Sequence, residues 1–434
     1  MPPPDALYRQ PSQPIPARAR DLLGRMTLKE KTAQLLQPWE TKAPAEVFAQ
    51  FNESGLGAWY LTMTTLPPHG GEQAAAAPPP TPPTNGGAAT VKARNEMQRL
   101  FVEKTRLGIP VTFIMETLHS GGPDATIFPM PINFGCSYNT SAMEAAARVI
   151  AAEARAVGTD RGFSPVINMF PDARYGRVQE GFSEDPWLTK VFGAAHLKGL
   201  QGDAMGGPDT YLTNFTHALV GTVKHYAAYG MSAGGIDGSP ADLSEQKLRE
   251  MYLSPWEYLA DGRGLRSVMA AQNMVNGRPM HANKRLLTDV LRKEWGVTDA
   301  LVESDGGDVI GALQGFHVGA TREDVSVLSL ESGMDMDLGG SAFSYDVLGP
   351  AVLNNRTSMA TLDQAVYRVL VSKFASGIFD HPYTDETRVQ SLDKPEHRVM
   401  ARQMAEESFV LLINENKTLP IRDIKSKKIA LVRE

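Results

Sequence analysis

Three short runs of sequence decide the predicted fold: GTVKHY (residues 221–226), RSVMAAQN (266–273) and DALVESD (299–305). Each run is mostly apolar, as in a parallel strand that is covered on both faces. Each also ends in charged or amide side chains, which are Lys224 and His225, Gln272 and Asn273, and Asp305. Such groups converge on one mouth in a parallel barrel, whereas a doubly wound sheet would spread them along an edge. The sequence therefore favours a barrel.

The same pattern extends outward along the chain. Further candidate strands are GAWYLT (57–62), PVTFIM (110–115), FSPVI (163–167) and GMDMDL (333–338). Polar residues follow two of these runs, namely Glu116 and His119 after the second, and Asp172, Arg174 and Arg177 after the third. Helical patterns lie between the strands at 140–158, 242–259, 282–296 and 361–377. This alternation predicts an α/β fold, a TIM-like (β/α)8 barrel whose upper face holds the site.

Local signals mark the ends of two of the predicted helices. The S-x-x-E pattern at Ser141 predicts a capping box for the helix that opens at Thr140. The T-x-x-Q pattern at Thr361 predicts the start of the last barrel helix, and Gly377 its end, because glycine adopts a left-handed cap without a Cβ clash.

Composition divides the chain into a barrel of residues 1–385 and a shorter segment of residues 386–434. Within the first part, residues 66–90 are rich in Pro, Ala and Gly and are expected to be a flexible insertion. Residues 386–401 are polar and are expected to be poor in helix; a helix, an apolar run and a turn then follow up to residue 421. KKIALV (427–432) is predicted to be the first strand of an α/β-sandwich domain.

Overall composition excludes several classes of function. The chain has 434 residues and a net charge of −6, with no long basic run, which argues against a dedicated nucleic-acid binder. No apolar stretch is long enough to span a membrane. The single cysteine, Cys136, excludes an internal disulfide and a Cys-based zinc cage. No cofactor is implied. The N-terminus lacks the pattern of a signal peptide, so the compartment is undetermined; export would need a signal outside this sequence.

Two sets of residues are candidates for chemistry. Asp305 follows a strand and precedes two glycines, so it is either a nucleophile or general base, or the N-cap of the next helix. Lys224 and His225 end a strand and are either donors to ligand hydroxyls or, for the histidine, a buried structural group. The loop from 165 to 188 contains Arg174 and Arg177 beside several carboxylates, a pattern typical of a loop held together by ion pairs.

Taken together, several blocks resemble glycoside hydrolase family 3, the family of retaining β-glucosidases and β-xylosidases. The resemblance rests on RLGIPVTFIMETLHS (106–120), PVINMFPDARYGRVQEGFSEDP (165–186), TVKHYAAYG (222–230), VMAAQNMVNGRPMHANKRLLTDVLRKEWG (268–296) and LVESDGGDV (301–309). The order and spacing of these blocks extend over most of the chain. The resemblance implies a β-linked glycoside or oligosaccharide as substrate.

Roles carry over residue by residue from this resemblance. Asp305 matches the family's nucleophilic aspartate. Lys224, His225 and Arg177 match residues that bind sugar hydroxyls, and Glu116 matches a carboxylate that receives hydroxyls of the terminal sugar. Glutamate in this E-x-L-H context resembles the xylosidase-like branch.

Three departures from the family pattern are expected to affect activity. Ser304-Asp305-Gly306 replaces S-D-W, so the indole wall beside the first sugar is missing from position 306. Gln272, retained as a candidate substrate-binding residue, replaces a tyrosine that contacts the nucleophile. The acid/base glutamate usually comes from the sandwich domain, of which only the linker helix and first strand match here.

Loss of general acid catalysis costs about 10²–10⁴ in rate, so this chain is expected to hydrolyse natural β-glycosides poorly and activated aryl glycosides better. The leading hypothesis is a retaining exo-β-glycosidase, glucosidase- or xylosidase-like. The alternative is a catalytically impaired sugar-binding protein. A barrel enzyme acting on phosphorylated metabolites is disfavoured, because no phosphate-cradling loop follows the late strands.

Overall fold

The computed structural model describes residues 5–39, 42–60, 86–203, 206–212, 214–231, 233–340, 343–428 and 430. Its strands are β1 (Leu36–Pro38), β2 (Ala58–Tyr60), β3 (Thr112–Met115), β4 (Arg161–Gly162), β5 (Val220–Tyr226), β6 (Ser267–Ala270), β7 (Met274–Val275), β8 (Arg278–Pro279), β9 (Leu301–Glu303) and β10 (Asp337–Gly340). β7 and β8 form an antiparallel hairpin after β6. The remaining strands build the central sheet.

The central sheet is parallel and closed. Six strands pair in the order β2-β3-β4-β5-β6-β9, and β1 pairs in parallel with β10. A parallel bridge between Glu303 and Met336 joins β9 to β10. The Gly57 N–H donates to the Ala33 carbonyl at 3.0 Å, which places β1 beside β2. The strands described here therefore form a TIM-like barrel, which confirms the predicted fold class.

Helices surround the barrel. They are α1 (Ile15–Arg25), α2 (Leu28–Ala33), α3 (Pro44–Phe51), α4 (Gly86–Lys104), α5 (Pro131–Ser137), α6 (Thr140–Ala156), α7 (Pro186–Gln201), α8 (Glu245–Lys247), α9 (Ser254–Ala260), α10 (Asp308–Gln314), α11 (Arg322–Ser332), α12 (Leu348–Leu353), α13 (Met359–Ala375) and α14 (Pro395–Glu407). Two π-helical segments, Leu248–Leu253 and Arg285–Glu294, complete the outer layer. Among the described residues, no helix has both the length and the apolar character needed to cross a membrane.

Two strands differ from their predicted positions. β4 occupies 161–162 rather than 163–167, because Pro165 has no N–H to donate to a continued ladder; the chain rejoins β5 only through a bridge between Val166 and Lys224. The strand expected at 333–338 begins at Asp337, since Gly333 adopts a left-handed conformation that ends α11. β1, which has only three residues, was not predicted.

Helix caps also differ from the sequence-based expectation. The Asn139 side chain accepts the Ala142 N–H and begins α6, so the S-x-x-E capping box does not form. Ser358 caps α13 three residues before the predicted cap Thr361, whereas Gly377 does have a positive φ of 80°. In both helices an Asn or Ser further upstream satisfies the free N–H groups of the first turn.

The segments outside the barrel are partly described. Residues 66–85 of the expected insertion lie outside the described residues, and residues 86–90 form the first turn of α4 rather than a flexible stretch. Residues 395–401 belong to α14, although the sequence was expected to be poor in helix there, because Pro395 suits the first helical turn. Lys427, Lys428 and Ala430 are not in a strand, and the rest of the predicted strand 427–432 lies outside the described residues.

A buried polar network supports the barrel beneath its mouth. Arg161 in β4 donates to Glu303 in β9 at 2.8 Å, and Thr222 in β5 donates to the other oxygen of Glu303 at 2.9 Å. A buried ion pair is tolerated when further hydrogen bonds satisfy its remaining atoms. Glu303 lies two residues before Asp305, so this network holds the end of β9 in place.

Candidate active site

The six predicted site residues lie at the C-terminal ends of the barrel strands. Lys224 and His225 are in β5, Glu116 follows β3, and Asp305 follows β9. Arg177 lies in the loop after β4, and Gln272 follows β6. The structure therefore brings residues from five strand ends to one mouth, where catalytic groups of barrel enzymes are found.

Within the described part of the chain, one carboxylate oxygen of Asp305 accepts a hydrogen bond and the other does not. Oδ1 accepts the Gly306 N–H at 2.7 Å. Oδ2 lies 3.5 Å from Nε2 of His225 and has no hydrogen-bond partner among the described residues, although it is enclosed by protein. The side chain is 18% exposed. A buried carboxylate oxygen without a hydrogen-bond partner is energetically unfavourable unless a ligand contacts it. Oδ2 of Asp305 is therefore a candidate reacting atom.

Asn168, which was not singled out from the sequence, holds His225 in place. Its Oδ1 accepts the His225 backbone N–H at 3.0 Å, so its Nδ2 group must face Nδ1 of His225, also at 3.0 Å. The Arg177 guanidinium group lies 3.2 Å from Nε2 of the same ring, so both ring nitrogens face hydrogen-bond donors of the protein. Burial lowers the pKa of His225, and the charges of Arg177 and Lys224 lower it further, so the ring is neutral at pH 7.

Lys224 and Glu116 form an ion pair at the mouth. The Lys224 ammonium group contacts both carboxylate oxygens, at 2.7 and 2.8 Å. Lys224 is buried, whereas 48% of the Glu116 side chain is open to solvent. The Glu116 carboxylate is nevertheless closely surrounded by protein, and this desolvation raises its pKa, which Lys224 partly offsets. The Glu116 carboxylate is therefore held by Lys224 and can still be reached from solvent.

Arg177 belongs to a hydrogen-bond network that includes Glu180, Tyr229 and Gln272. Its guanidinium group makes a bidentate pair with Glu180, at 2.8 and 2.9 Å, and donates to the Tyr229 hydroxyl at 3.1 Å. The Tyr229 hydroxyl in turn donates to Gln272 at 2.8 Å. Burial opposes the charged form of Arg177, but Glu180 outweighs it, and the pKa of Arg177 is raised. Gln272 thus contacts Tyr229 in this network.

A second carboxyl group lies near Asp305 and was also missed by the sequence analysis. Asp308 Oδ2 is 3.5 Å from Nε2 of His281, and neither ring nitrogen of His281 has a hydrogen-bond partner among the described residues. Burial raises the pKa of Asp308 well above its usual value, and the charge of Asp305 adds to this effect. Burial lowers the pKa of His281 to about 3. Both shifts favour the uncharged forms of the two side chains.

Other polar residues at strand ends do not join the site. Arg174 is mostly exposed and pairs with Asp172 at 2.6 Å, as expected for a loop held together by ion pairs. His119 lies with Nδ1 3.2 Å from the Phe128 carbonyl. These contacts organise loops around the mouth.

Comparisons with known proteins agree with this geometry. Residues 27–371 match the model for the Glycosyl hydrolase family 3 N terminal domain. A β-xylosidase of Formosa agariphila is 34% identical over 75% of this chain and 46% of its own length, and a periplasmic β-glucosidase of Salmonella typhimurium is 31% identical over 97% and 51%.

Solved structures show the same relationship. A β-glucosidase of Erythrobacter marinus superimposes with a TM-score of 0.85 at 30% identity, covering 96% of this chain and 53% of that one. A mutant β-glucosidase of Listeria innocua in complex with laminaribiose superimposes with a TM-score of 0.78 at 29% identity, covering 93% and 53%. The chain therefore spans about half the length of the relatives that it matches.

Proposed function

The chain belongs to glycosyl hydrolase family 3, and we propose that its barrel carries the nucleophile and first sugar subsite of a retaining exo-β-glycosidase acting on β-glucosides or β-xylosides. The observation that carries the proposal is the free Oδ2 atom of Asp305, enclosed at the barrel mouth and 3.5 Å from His225. A nucleophilic carboxylate needs one oxygen held in place and the other directed at the reacting carbon.

In this mechanism Oδ2 of Asp305 attacks the anomeric carbon while the bond to the leaving oxygen breaks. The leaving oxygen takes a proton from an acid, and a glycosyl ester of Asp305 forms. Water then attacks the same carbon, loses a proton to a base and releases the sugar with net retention. The Gly306 N–H holds Oδ1 of the same carboxylate, and the His225 ring lies 3.5 Å from Oδ2.

The other residues suit a neutral ligand that is rich in hydroxyl groups. Glu116 offers two carboxylate oxygens as acceptors, and the buried Lys224 ammonium group beside it is a donor. Arg177, held by Glu180, offers a further hydrogen-bond donor at the mouth. We assign these residues to recognition of sugar hydroxyls, because charged hydrogen bonds in an enclosed site discriminate strongly between ligands.

Covalent trapping tests the proposal. The full chain is incubated with 2,4-dinitrophenyl 2-deoxy-2-fluoro glycosides of glucose and xylose, whose leaving group needs little protonation, and is then digested for mass spectrometry. The expected result is one labelled peptide containing Asp305 and no label in Asp305→Asn. Asp289→Asn, an exposed substitution, is the matched control and should label normally.

The outcomes separate the two hypotheses for this site. A label on another residue contradicts the assignment of Asp305. Calorimetric binding of glucose or xylose without any label supports the sugar-binding alternative. Absence of both binding and labelling contradicts a sugar site at this mouth.

A further inference from the structure

A second cavity lies on the outside of the barrel, away from the mouth. It has a volume of about 230 Å³ and lies between α6, the chain before β5 and the segment 386–397. Most of its charged lining is basic: Arg148, His217, Arg388, Lys394 and His397. Glu153 is the carboxylate among its lining residues. Positive charges from α6 and from the segment 386–397 therefore meet around one space, with two histidines in the same lining.

Glu153 contributes one negative charge to this lining, fewer than the three positive charges of Arg148, Arg388 and Lys394. Oε1 accepts hydrogen bonds from the Thr126 hydroxyl, the Asp393 N–H and Nδ1 of His397, at 2.8–2.9 Å. Oε2 accepts the Thr126 N–H at 2.7 Å. Glu153 is almost completely buried. Its carboxylate thus holds the floor of the cavity together.

Two of the cations have no carboxylate partner. Arg388 donates to the Thr216 carbonyl, and Lys394 makes no ion pair or side-chain hydrogen bond with any of the described residues. Of the two nearest acidic residues in sequence, Glu386 accepts from Asn95, and Asp385 caps the Thr387 N–H and hydroxyl and acts on Arg388 only through its charge. Arg148, by contrast, is paired with Glu144 and Asp203. Like charges that converge without a partner are unfavourable unless an anion joins them.

The charges around the cavity shift the pKa values of two of its lining residues. Burial lowers the pKa of His217, and the charges of Arg388 and Lys394 lower it further. Burial and the charge of Arg155 lower the pKa of Arg388, and the charge of Asp385 partly offsets them. The charged groups that act on these two side chains are therefore mostly positive.

We propose that this cavity binds a doubly charged tetrahedral oxyanion, phosphate or sulfate, either free or carried by a saccharide. Arg388 and Lys394 supply the two balancing charges, and the N-terminal turn of α14, which follows Lys394, adds a favourable dipole. The anion would tie the segment 386–397 to α6. The proposal does not depend on glycosidase activity at the barrel mouth.

Titration calorimetry on the full chain tests this site at pH 8, where phosphate is a dianion. Inorganic phosphate, sulfate and glucose 6-phosphate are compared with chloride at matched ionic strength. At least one oxyanion is expected to bind with a Kd below about 10 mM. Arg388→Gln and Lys394→Gln should each weaken binding by about tenfold. Arg402→Gln, an exposed substitution on α14, should bind as the unmodified chain does.

Each result has a defined meaning. Tighter binding of glucose 6-phosphate than of inorganic phosphate supports a saccharide-borne group, and equal binding supports a free oxyanion. Absence of binding of all three anions overturns the proposal. Equal affinities of Lys394→Gln and Arg402→Gln also overturn it, even if Arg388→Gln fails to fold.

Discussion

Trp39 lies so close to Gly306 that a Cβ atom at position 306 would come within 3.1 Å of its indole ring. Trp39 follows β1 and packs on Tyr60, with ring centroids 5.1 Å apart. Gly306 immediately follows Asp305. The tryptophan that family members commonly have after the aspartate is missing at position 306. The structure places an indole from another strand beside that position.

We expect Trp39→Ala to raise KM for nitrophenyl glycosides and to lower kcat/KM by about tenfold, which corresponds to about 1.4 kcal/mol. The reason is the loss of an aromatic wall beside the proposed nucleophile. Steady-state kinetics measure the effect, with the exposed Trp187→Ala as the control. An unchanged KM in Trp39→Ala would show that the indole does not contact the substrate.

Gly306→Ala tests the same contact through stability. In the unmodified chain the added methyl group meets the indole, and we expect a loss of about 1–3 kcal/mol in the free energy of unfolding. In the Trp39→Ala background the same substitution should cost much less, because the space is then open. Urea denaturation of the four proteins completes this double-mutant cycle. An equal cost in both backgrounds contradicts the contact.

Asn168→Asp tests the contact between Asn168 and the His225 ring. A carboxylate oxygen cannot donate to Nδ1 of the ring, so Nδ1 should carry a proton and the pKa of His225 should rise. We expect NMR of ¹⁵N-labelled histidine to show Nδ1 protonated and kcat/KM to fall by about 10- to 100-fold. Asn354→Asp, an exposed substitution with the same charge change, is the control. An unchanged Nδ1 signal would refute the contact.

Asp337 makes stability depend on pH in a defined window. Burial raises its pKa to about 6, against 3.8 for an unburied carboxyl. Between these values the unfolded chain loses the proton and the folded chain keeps it, so the contribution of Asp337 to stability falls as pH rises from about 4 to 6. The loss is of the order of 3 kcal/mol.

Asp337→Asn should remove this dependence, because the amide does not ionise. The measurement is the free energy of unfolding in urea at pH 4 and pH 6, with the exposed Asp261→Asn as the control. The difference between the two pH values should shrink for Asp337→Asn and stay unchanged for the control. Equal differences in all three proteins would rule out Asp337 as the source.

Much of the fold could be read from local patterns. The runs around β2, β3, β5, β6 and β9 were assigned from apolar content, and the polar residues at their ends indicated a barrel rather than an open sheet. This works because parallel strands are buried on both faces and their C-terminal ends share one edge. β1 escaped prediction because Leu36-Gln37-Pro38 is not an apolar run, and β4 was displaced because Pro165 cannot extend the ladder.

The candidate site, too, was predicted only in part from the sequence. Residue type and position placed Asp305, Lys224, His225, Glu116 and Arg177 at or after strand ends, and the family resemblance selected them as site residues. The partners of these residues were not visible in the sequence, because contacts such as Asn168 with His225 and Trp39 with Gly306 depend on how side chains from distant strands pack. Short-range patterns thus specify strands and the chemistry at their ends. Protonation, enclosure and the shape of the mouth arise only when the closed barrel brings those ends together.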